Sequence, residues 1–262
     1  MSVQLSRRQV LSGGAAAGAA AVVPSIQAAS RPEAGQDPDL ASILARMTNL
    51  HDRALSLPLR SRHLALLAAL VAAGAGEESV APAVSSALDD GVAPVAIREA
   101  ILQCAPYAGM ARAATVMRAA LPALASRGVA LPVQSETTVT DETRFTKGLE
   151  VQTAIFGNAI RKMHESAPEG QRRLLIDDLS GWCFGDFYTR GGLTVAEREL
   201  VTFVTIAALG GCEPQLRAHA SANLSEGATK QNLIDALESA LPHMGYPRTL
   251  NALGVVNAVT GK

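Results

Sequence analysis

The feature that most constrains this chain is an internal duplication. Residues 58–117 match residues 194–253 without gaps, with 12 identities across the 60 positions. The identities include Arg62 with Arg198, Glu77 with Glu213 and Gly109 with Gly245, and conservative pairs lie between them. A long repeat of this kind indicates two copies of one supersecondary unit, so we expect two homologous domains.

Each copy has the sequence pattern of a helical bundle. The chain is 48% hydrophobic but only 3% aromatic, and its alanine and leucine content favours helices over sheets. Thr194 and Glu197 have the spacing of a capping box, Gly210 ends the following apolar stretch, and Thr229 begins another helix, which we expect to end near Pro242. No segment alternates with a period of two, and the predicted fold is all-α.

The predicted domain order is a signal, a first copy, a linker and a second copy. We place a degenerate first domain at residues 38–126 and a second domain at residues 141–262. The linker between them, residues 127–140, carries a glycine, a proline and a serine/threonine run.

The N-terminal residues have the pattern of an export signal. Arg7 and Arg8 open a stretch with no acidic residue, and an eleven-residue run of glycine, alanine and valine follows at residues 13–23. Small residues near Ala28 then offer a cleavage site, so residues 1–29 resemble a twin-arginine signal peptide. We expect a periplasmic or secreted protein with no membrane attachment after cleavage, because eleven residues span only about 16 Å of helix.

Charge and size restrict the partners. The formal net charge is −1, which argues against the basic face that nucleic acid binding needs. We therefore expect no nucleic acid partner.

The two copies differ at positions suited to chemistry. His219 lies on the apolar stripe of a predicted helix with Leu216 and Asn223, whereas the first copy has Ala83 at the equivalent position. Glu199 is matched by His63. A histidine on a buried stripe is either a hydrogen-bonded core residue or an acid/base catalyst, and the pattern leaves both readings open.

Several motifs of the second copy resemble the carboxymuconolactone decarboxylase family. They are Arg198-Glu199-Leu200, Gly210-Gly211, Gln215-Leu216 with His219, Gly227-Ala228-Thr229, Gly245-Tyr246-Pro247 and the upstream segment from Phe184 to Leu193. The resemblance implies the all-helical fold of alkylhydroperoxidase D-like proteins and assembly into oligomers. For a two-domain chain it implies a trimer.

The resemblance also implies site residues. The histidine, glutamate and arginine of the family pattern fall on His219, Glu199 and Arg198, which implies acid/base catalysis by His219 without a metal or organic cofactor. Arg198 or Arg190 is the expected anion clamp. Arg198 also has a structural alternative, a pairing with Glu213.

Other residues near the motif are candidates for substrate binding. An aromatic cluster includes Trp182 and Tyr188, and it suits either a flat substrate or a contact between subunits. Tyr246 lies in the second copy, and His243, which replaces Tyr107 of the first copy, is expected near His219. Neither histidine has the short spacing of a metal ligand pair, so no metal site is predicted.

A cysteine separates two branches of the family. The hydroperoxidase branch needs C-x-x-C before the histidine, and here the stretch is Cys212-Glu213-Pro214-Gln215. Without the second cysteine, peroxide chemistry at Cys212 needs an external thiol. The leading expectation is a cofactor-free decarboxylase or isomerase of a small carboxylated lactone-type acid. The alternatives are a thiol-dependent hydroperoxidase that uses Cys212 and His219, and a non-catalytic helical binding or assembly protein.

Overall fold

The computed structural model describes residues 37–48 and 56–261, so the export signal lies outside the described residues. The described residues form helices and no strand. The helices are α1 (Pro38–Thr48), α2 (Leu59–Ala73), α3 (Glu77–Asp89), α4 (Pro94–Gln103), α5 (Ala105–Ala108), α6 (Met110–Ser126), α7 (Arg144–Phe156), α8 (Asn158–Ser166), a 3-10 turn (Glu169–Gln171), a π-helix (Arg173–Tyr188), α9 (Val195–Leu209), α10 (Glu213–Ser225), α11 (Lys230–Met244) and α12 (Tyr246–Thr260). None of the helices among these residues is long and apolar enough to cross a membrane.

The chain divides into two units, residues 1–41 and residues 42–262. In the described part of the first unit, the Asp37 carboxylate accepts hydrogen bonds from the amides of Asp39 and Leu40 at 3.0 and 2.9 Å, which caps the start of α1. The second unit contains α2 to α12 of both sequence copies.

The duplication is visible in the helix boundaries. When the two copies are aligned with Arg62 opposite Arg198, α2 and α3 begin and end at the same aligned positions as α9 and α10. In the same alignment α6 begins opposite the first residue of α12. In the first copy α4 and α5 occupy the positions that the single helix α11 occupies in the second. The tandem helical domains expected from the sequence are therefore present.

The equivalent helices α2 and α9 pack against each other in the core of the second unit. Every residue from His63 to Ala72 in α2 is buried, as is every residue from Arg198 to Ala208 in α9. A helix that is covered on all sides has no solvent face, which explains why neither sequence shows a strong amphipathic period. The polar residues of these two helices are thereby held inside the protein.

The predicted helix signals are mostly confirmed. Thr194 and Thr229 both form reciprocal capping boxes, with Glu197 and Asn232 respectively. The helix expected to end near Pro242 ends two residues later, at Met244. The missing amide of Pro242 costs one hydrogen bond, and burial of Leu241 and Met244 around it favours the continued helix.

The π-helix before α9 could not be predicted from hydrophobic periodicity alone. The π-helix packs against α7, and Gly148 and Gly185 face backbone atoms of Ser180 and Arg144 so closely that neither position has room for a Cβ. The linker between the two copies contacts the end of the π-helix. There the Thr138 hydroxyl donates a hydrogen bond to the Thr189 carbonyl at 2.7 Å. These contacts place the end of the π-helix, and with it Tyr188, against α9.

Candidate active site

His219 and Glu199 form a buried pair between α10 and α9. His219 Nδ1 lies 2.8 Å from Glu199 Oε2. The Glu199 side chain is fully buried, and 8% of the His219 side chain is exposed. Since a carboxylate only accepts hydrogen bonds, this contact places the proton on Nδ1 and leaves Nε2 as the available ring nitrogen. Nε2 has no hydrogen-bond partner among the described residues.

The backbone around the pair is fixed by Asn223, one turn after His219. Its side-chain amide donates to the carbonyl oxygens of Glu199 at 2.9 Å and of His219 at 2.8 Å. The predicted stripe of Leu216, His219 and Asn223 is buried, as expected. One amide group thus ties the two helices together beside the pair.

Three hydroxyl groups extend the network from the other carboxylate oxygen. The Tyr188 hydroxyl donates to Glu199 Oε1 at 2.8 Å and lies 3.0 Å from Thr202 Oγ1. It also lies 3.1 Å from the hydroxyl of Tyr107. Tyr107 belongs to α5 of the first copy, so the network is built from both copies. Glu199 is therefore held by two donors, and the orientation of His219 depends on the same chain of contacts.

Aromatic edges enclose the imidazole. Tyr107 and Phe156 meet the His219 ring edge to face, with centroids at 5.3 and 5.4 Å. Phe184 packs on Phe156 and Tyr188 in the same cluster. These rings cover much of the imidazole, and 8% of the His219 side chain remains exposed.

The protonatable groups around the pair are neutral at physiological pH. Burial raises the pKa of Tyr107 and of Tyr188 well above the ordinary value, and the nearby Glu199 carboxylate adds to the effect. Burial likewise raises the pKa of the Cys183 thiol to about 12. Cys183 lies 3.8 Å from the Tyr107 hydroxyl. The site thus offers hydroxyl donors but no thiolate at Cys183.

Arg198 and Arg190, the two expected anion clamps, lie in a different environment. Both reach the fully buried carboxylate of Glu99, Arg190 at 2.8 and 2.9 Å and Arg198 at 3.3 Å. Arg198 also donates to the side chain of Gln103 and to the carbonyls of Arg190 and Gly191. Its alternative pairing with Glu213 is not found, because its salt bridge is with Glu99. Arg198 is fully buried and links α9 to α4 of the first copy.

The remaining predicted binding residues are scattered. Tyr188 joins the network, but Trp182 is 38% exposed and packs on Phe187. Tyr246 is 64% exposed at the start of α12. His243 lines a cavity with Ala83, on the side of the first copy, rather than contacting His219.

The cysteines do not form a redox pair in the described residues. Cys212 is half-buried at the N-cap of α10, one residue before the helix that carries His219. Cys104 is buried and donates to the Ala100 carbonyl, and its pKa is raised by burial to about 12. All three cysteines are free. Within residues 37–48 and 56–261, no cluster of histidine, cysteine and acidic side chains is arranged to hold a metal ion.

Sequence reasoning missed three members of the site, Tyr107, Thr202 and Phe156. The two copies have different residues at the Tyr107 position, as they do at the His219 position. This difference could have identified Tyr107 as a site residue. Thr202 lies one turn after Arg198 in a helix that reads as apolar, and Phe156 lies in a segment that the repeat does not cover. Only the packing of α5 and α7 shows that Tyr107 and Phe156 reach the imidazole.

Comparisons with known proteins agree with the duplication. The model of the carboxymuconolactone decarboxylase family matches residues 38–122 and 176–258, which together make up more than half of the chain. A model of the twin-arginine translocation signal matches residues 4–24. The first and second family matches correspond to the two helical copies.

One similar protein is a 4-carboxymuconolactone decarboxylase from Acinetobacter baylyi (strain ATCC 33305 / BD413 / ADP1). It is 29% identical to this chain over 120 residues, which are 45% of this chain and 88% of the relative. The aligned length is that of one copy, so the relative is similar to about half of this chain.

Proposed function

We propose, since the chain belongs to the carboxymuconolactone decarboxylase family, that it is a cofactor-free decarboxylase or isomerase of a small carboxylated lactone-type acid. The observation that carries the proposal is the 2.8 Å contact between His219 Nδ1 and Glu199 Oε2, which leaves Nε2 available to a substrate. An imidazole oriented by a carboxylate is a general acid and base near neutral pH.

The proposed reaction begins at the substrate carboxylate. The bond between the ring carbon and the carboxylate carbon breaks, carbon dioxide leaves, and the electron pair is delocalised onto the lactone carbonyl. The protonated His219 then delivers the Nε2 proton to the distal carbon, and His219 regains a proton from solvent. The net change is one proton consumed and one carbon dioxide released. Isomerisation uses the same group, with removal of a proton from one carbon and its return to another.

The surroundings of His219 suit this step. The Phe156 edge and the Tyr107 edge shield the imidazole, so a carboxylate bound beside it is less hydrated than in water. The delocalised anion that follows carbon dioxide loss carries a more dispersed charge, which favours the forward step in such a site. The proposal assigns no contact with the substrate carboxylate to Arg198 or Arg190, since both arginines form ion pairs with Glu99.

Turnover of 4-carboxymuconolactone tests the proposal. We expect the full chain to release carbon dioxide from this substrate. When the reaction is run in D₂O, the product should gain one solvent deuterium at the protonated carbon. His219→Gln should lower kcat by about 100-fold or more, the usual contribution of general acid/base catalysis. His164→Gln, at a half-buried histidine of α8 outside the Glu199 network, is the matched control and should turn over normally.

Undiminished turnover in His219→Gln would overturn the proposal. Peroxide consumption that is lost in Cys212→Ser, without carbon dioxide release, would instead favour the hydroperoxidase alternative. A protein with neither activity, whose physiological role is unaffected by replacement of His219 and Glu199, would be the non-catalytic assembly module.

The proposal extends to location and assembly. The twin-arginine signal at residues 4–24 supports export, and we propose that the mature protein is periplasmic or secreted. We also propose a homo-oligomer, a trimer of two-domain chains. Tyr246 and Leu250 on α12 are 64% and 57% exposed and support an interface there.

A further inference from the structure

The duplication gives the His219 site a counterpart on the side of the first copy. The alignment of the two copies pairs Ala83 with His219, Leu66 with Thr202, and Tyr107 with His243. In the second copy this position is filled by the imidazole and its aromatic wall. In the first copy, which lacks the imidazole, it is a cavity of about 220 Å³.

The cavity is lined by residues of α1, α2, α3 and α11. It is lined by Leu44, Leu66, Glu78, Ser79, Pro82, Ala83, Ser86 and His243. His63, the counterpart of Glu199, is not among them, because its Nε2 points to Asp90 at 2.6 Å. The cavity therefore has its own polar groups and does not repeat the His219 and Glu199 pair.

The polar groups of the cavity have no partners in the described part of the protein. Among the described residues, neither ring nitrogen of His243 makes a hydrogen bond, and the carboxylate of Glu78 makes no ion pair. The hydroxyls of Ser79 and Ser86 are also without a hydrogen bond there. By contrast, the hydroxyls and the carboxylate around His219 are paired. These four polar groups line one concave surface and are open to a ligand.

The size and access of the cavity suit a single ring. An apolar cavity of about 150 Å³ holds benzene, so about 220 Å³ accommodates one substituted ring. Leu66 and Ala83 are buried and form an apolar floor. Glu78, Pro82 and Ser86 are exposed and form an open rim through which a ligand enters.

The charge of the cavity selects against an anion. Among the described residues, no arginine or lysine lines it, and Glu78 is its only carboxylate. Burial lowers the pKa of His243, which keeps the imidazole neutral at physiological pH. A neutral imidazole accepts a hydrogen bond from a hydroxyl and gives nothing like the attraction of a guanidinium for a carboxylate. A cation would lose hydration and gain only one exposed carboxylate.

We propose that this cavity is a second binding site, which takes a small neutral ring that carries a hydroxyl group, a phenol. The ring packs on Leu66 and Ala83, and the hydroxyl donates to His243 and accepts from Ser79 or Ser86. The site is separate from the carboxylate chemistry assigned to His219 and stands independently of it.

Titration of the ¹⁵N-labelled full chain with phenol, benzoate and benzylamine tests the proposal by amide chemical shifts. Phenol should give saturable shifts in α3 and α11, with affinity at least about tenfold higher than that of the other two probes, the difference of one hydrogen bond or one uncompensated charge. Ala83→Leu fills the cavity and should abolish these shifts. Ala218→Leu makes the same change at an exposed position of α10 and should leave them intact.

A second variant keeps the test decisive if Ala83→Leu does not fold. His243→Phe retains a ring of similar size and removes the hydrogen bond, and it should weaken phenol binding about tenfold. The proposal is overturned if benzoate or benzylamine binds as tightly as phenol. It is equally overturned if His243→Phe leaves phenol affinity unchanged, or if a folded Ala83→Leu protein still binds phenol in α3 and α11.

Discussion

Replacement of Arg198 by methionine separates a structural role from a role in substrate binding. The guanidinium donates to Gln103 at 3.0 Å and to the carbonyls of Arg190 and Gly191 at 2.8 and 2.7 Å, and it pairs with Glu99 at 3.3 Å. Methionine retains much of the aliphatic volume and removes all of these contacts. The substitution therefore removes this donor from the Gln103 side chain and from the carbonyls of Arg190 and Gly191, and Glu99 loses one of its arginine partners.

The expected cost follows from what remains around Glu99. Removing one partner of a buried ion pair costs about 3–5 kcal/mol. Glu99 keeps the bidentate contact with Arg190 and the contact with Arg98 at 2.9 Å, so the carboxylate is not left unpaired. We therefore expect Arg198→Met to lower the free energy of unfolding by about 3 kcal/mol, the lower end of this range. For a chain of this size that lowers Tm by roughly 6–12 °C.

Urea unfolding followed by circular dichroism measures this loss, with Arg173→Met as the matched control. Arg173 is 89% exposed and lies 3.9 Å from Asp178, so its replacement should change the free energy of unfolding by less than about 0.5 kcal/mol. A stability change below about 1 kcal/mol for Arg198→Met, together with a raised KM, would refute the reasoning and return Arg198 to the role of anion clamp.

Three further predictions concern packing, pH and thiols. Gly148→Ala should lower the free energy of unfolding by about 1–3 kcal/mol, because the added Cβ would collide with the backbone of the π-helix. Gly170→Ala, at a position with open space, should leave the free energy of unfolding unchanged in the same urea assay. Burial raises the pKa of Asp235, but hydrogen bonds from Gln231, Ser56 and the Leu57 amide outweigh it and hold the pKa below its usual value. That stabilisation is present above about pH 4 and is lost as pH falls through the lower folded-state pKa, so Asp235→Asn should be less stable than wild type at pH 7 and show a smaller loss on acidification. A thiol reagent at neutral pH should label Cys212 rapidly in the native protein and all three cysteines in urea. Rapid labelling of Cys104 or Cys183 in the native protein would contradict the burial that raises the pKa of both thiols.

The fold was predictable because the duplication is visible in the sequence itself and because helix caps are local signals. The Thr194 and Thr229 boxes, the glycine after α9 and the buried face of α10 are all set by residues within a few positions of each other. The end of α11 expected near Pro242 lies at Met244, because packing of Leu241 and Met244 outweighs one missing hydrogen bond at the proline. The π-helix had no periodic signal, and its position depends on glycine contacts with α7.

The site was predictable only in part. The buried position of His219 was expected from its place on the apolar stripe of α10, and its pairing with Glu199 was expected only from the family resemblance. The partners of the arginines did not follow, because Glu99 lies far away in sequence, in the other copy. Tyr107 reaches His219 for the same reason, through packing of one copy against the other. Contacts between copies are long-range in sequence, and no local pattern records them.

The central claim is that Glu199 orients His219 so that Nε2 serves the substrate. The ¹⁵N spectrum of the histidine side chains tests it without any substrate, with the His219 signals assigned by their absence in His219→Gln. At a pH where the imidazole is neutral, the account predicts a protonated Nδ1 and an unprotonated Nε2, and partial loss of this preference in Glu199→Gln, whose amide accepts less strongly. A His219 ring protonated on Nε2 in the wild-type protein, with Nδ1 bare, would contradict it.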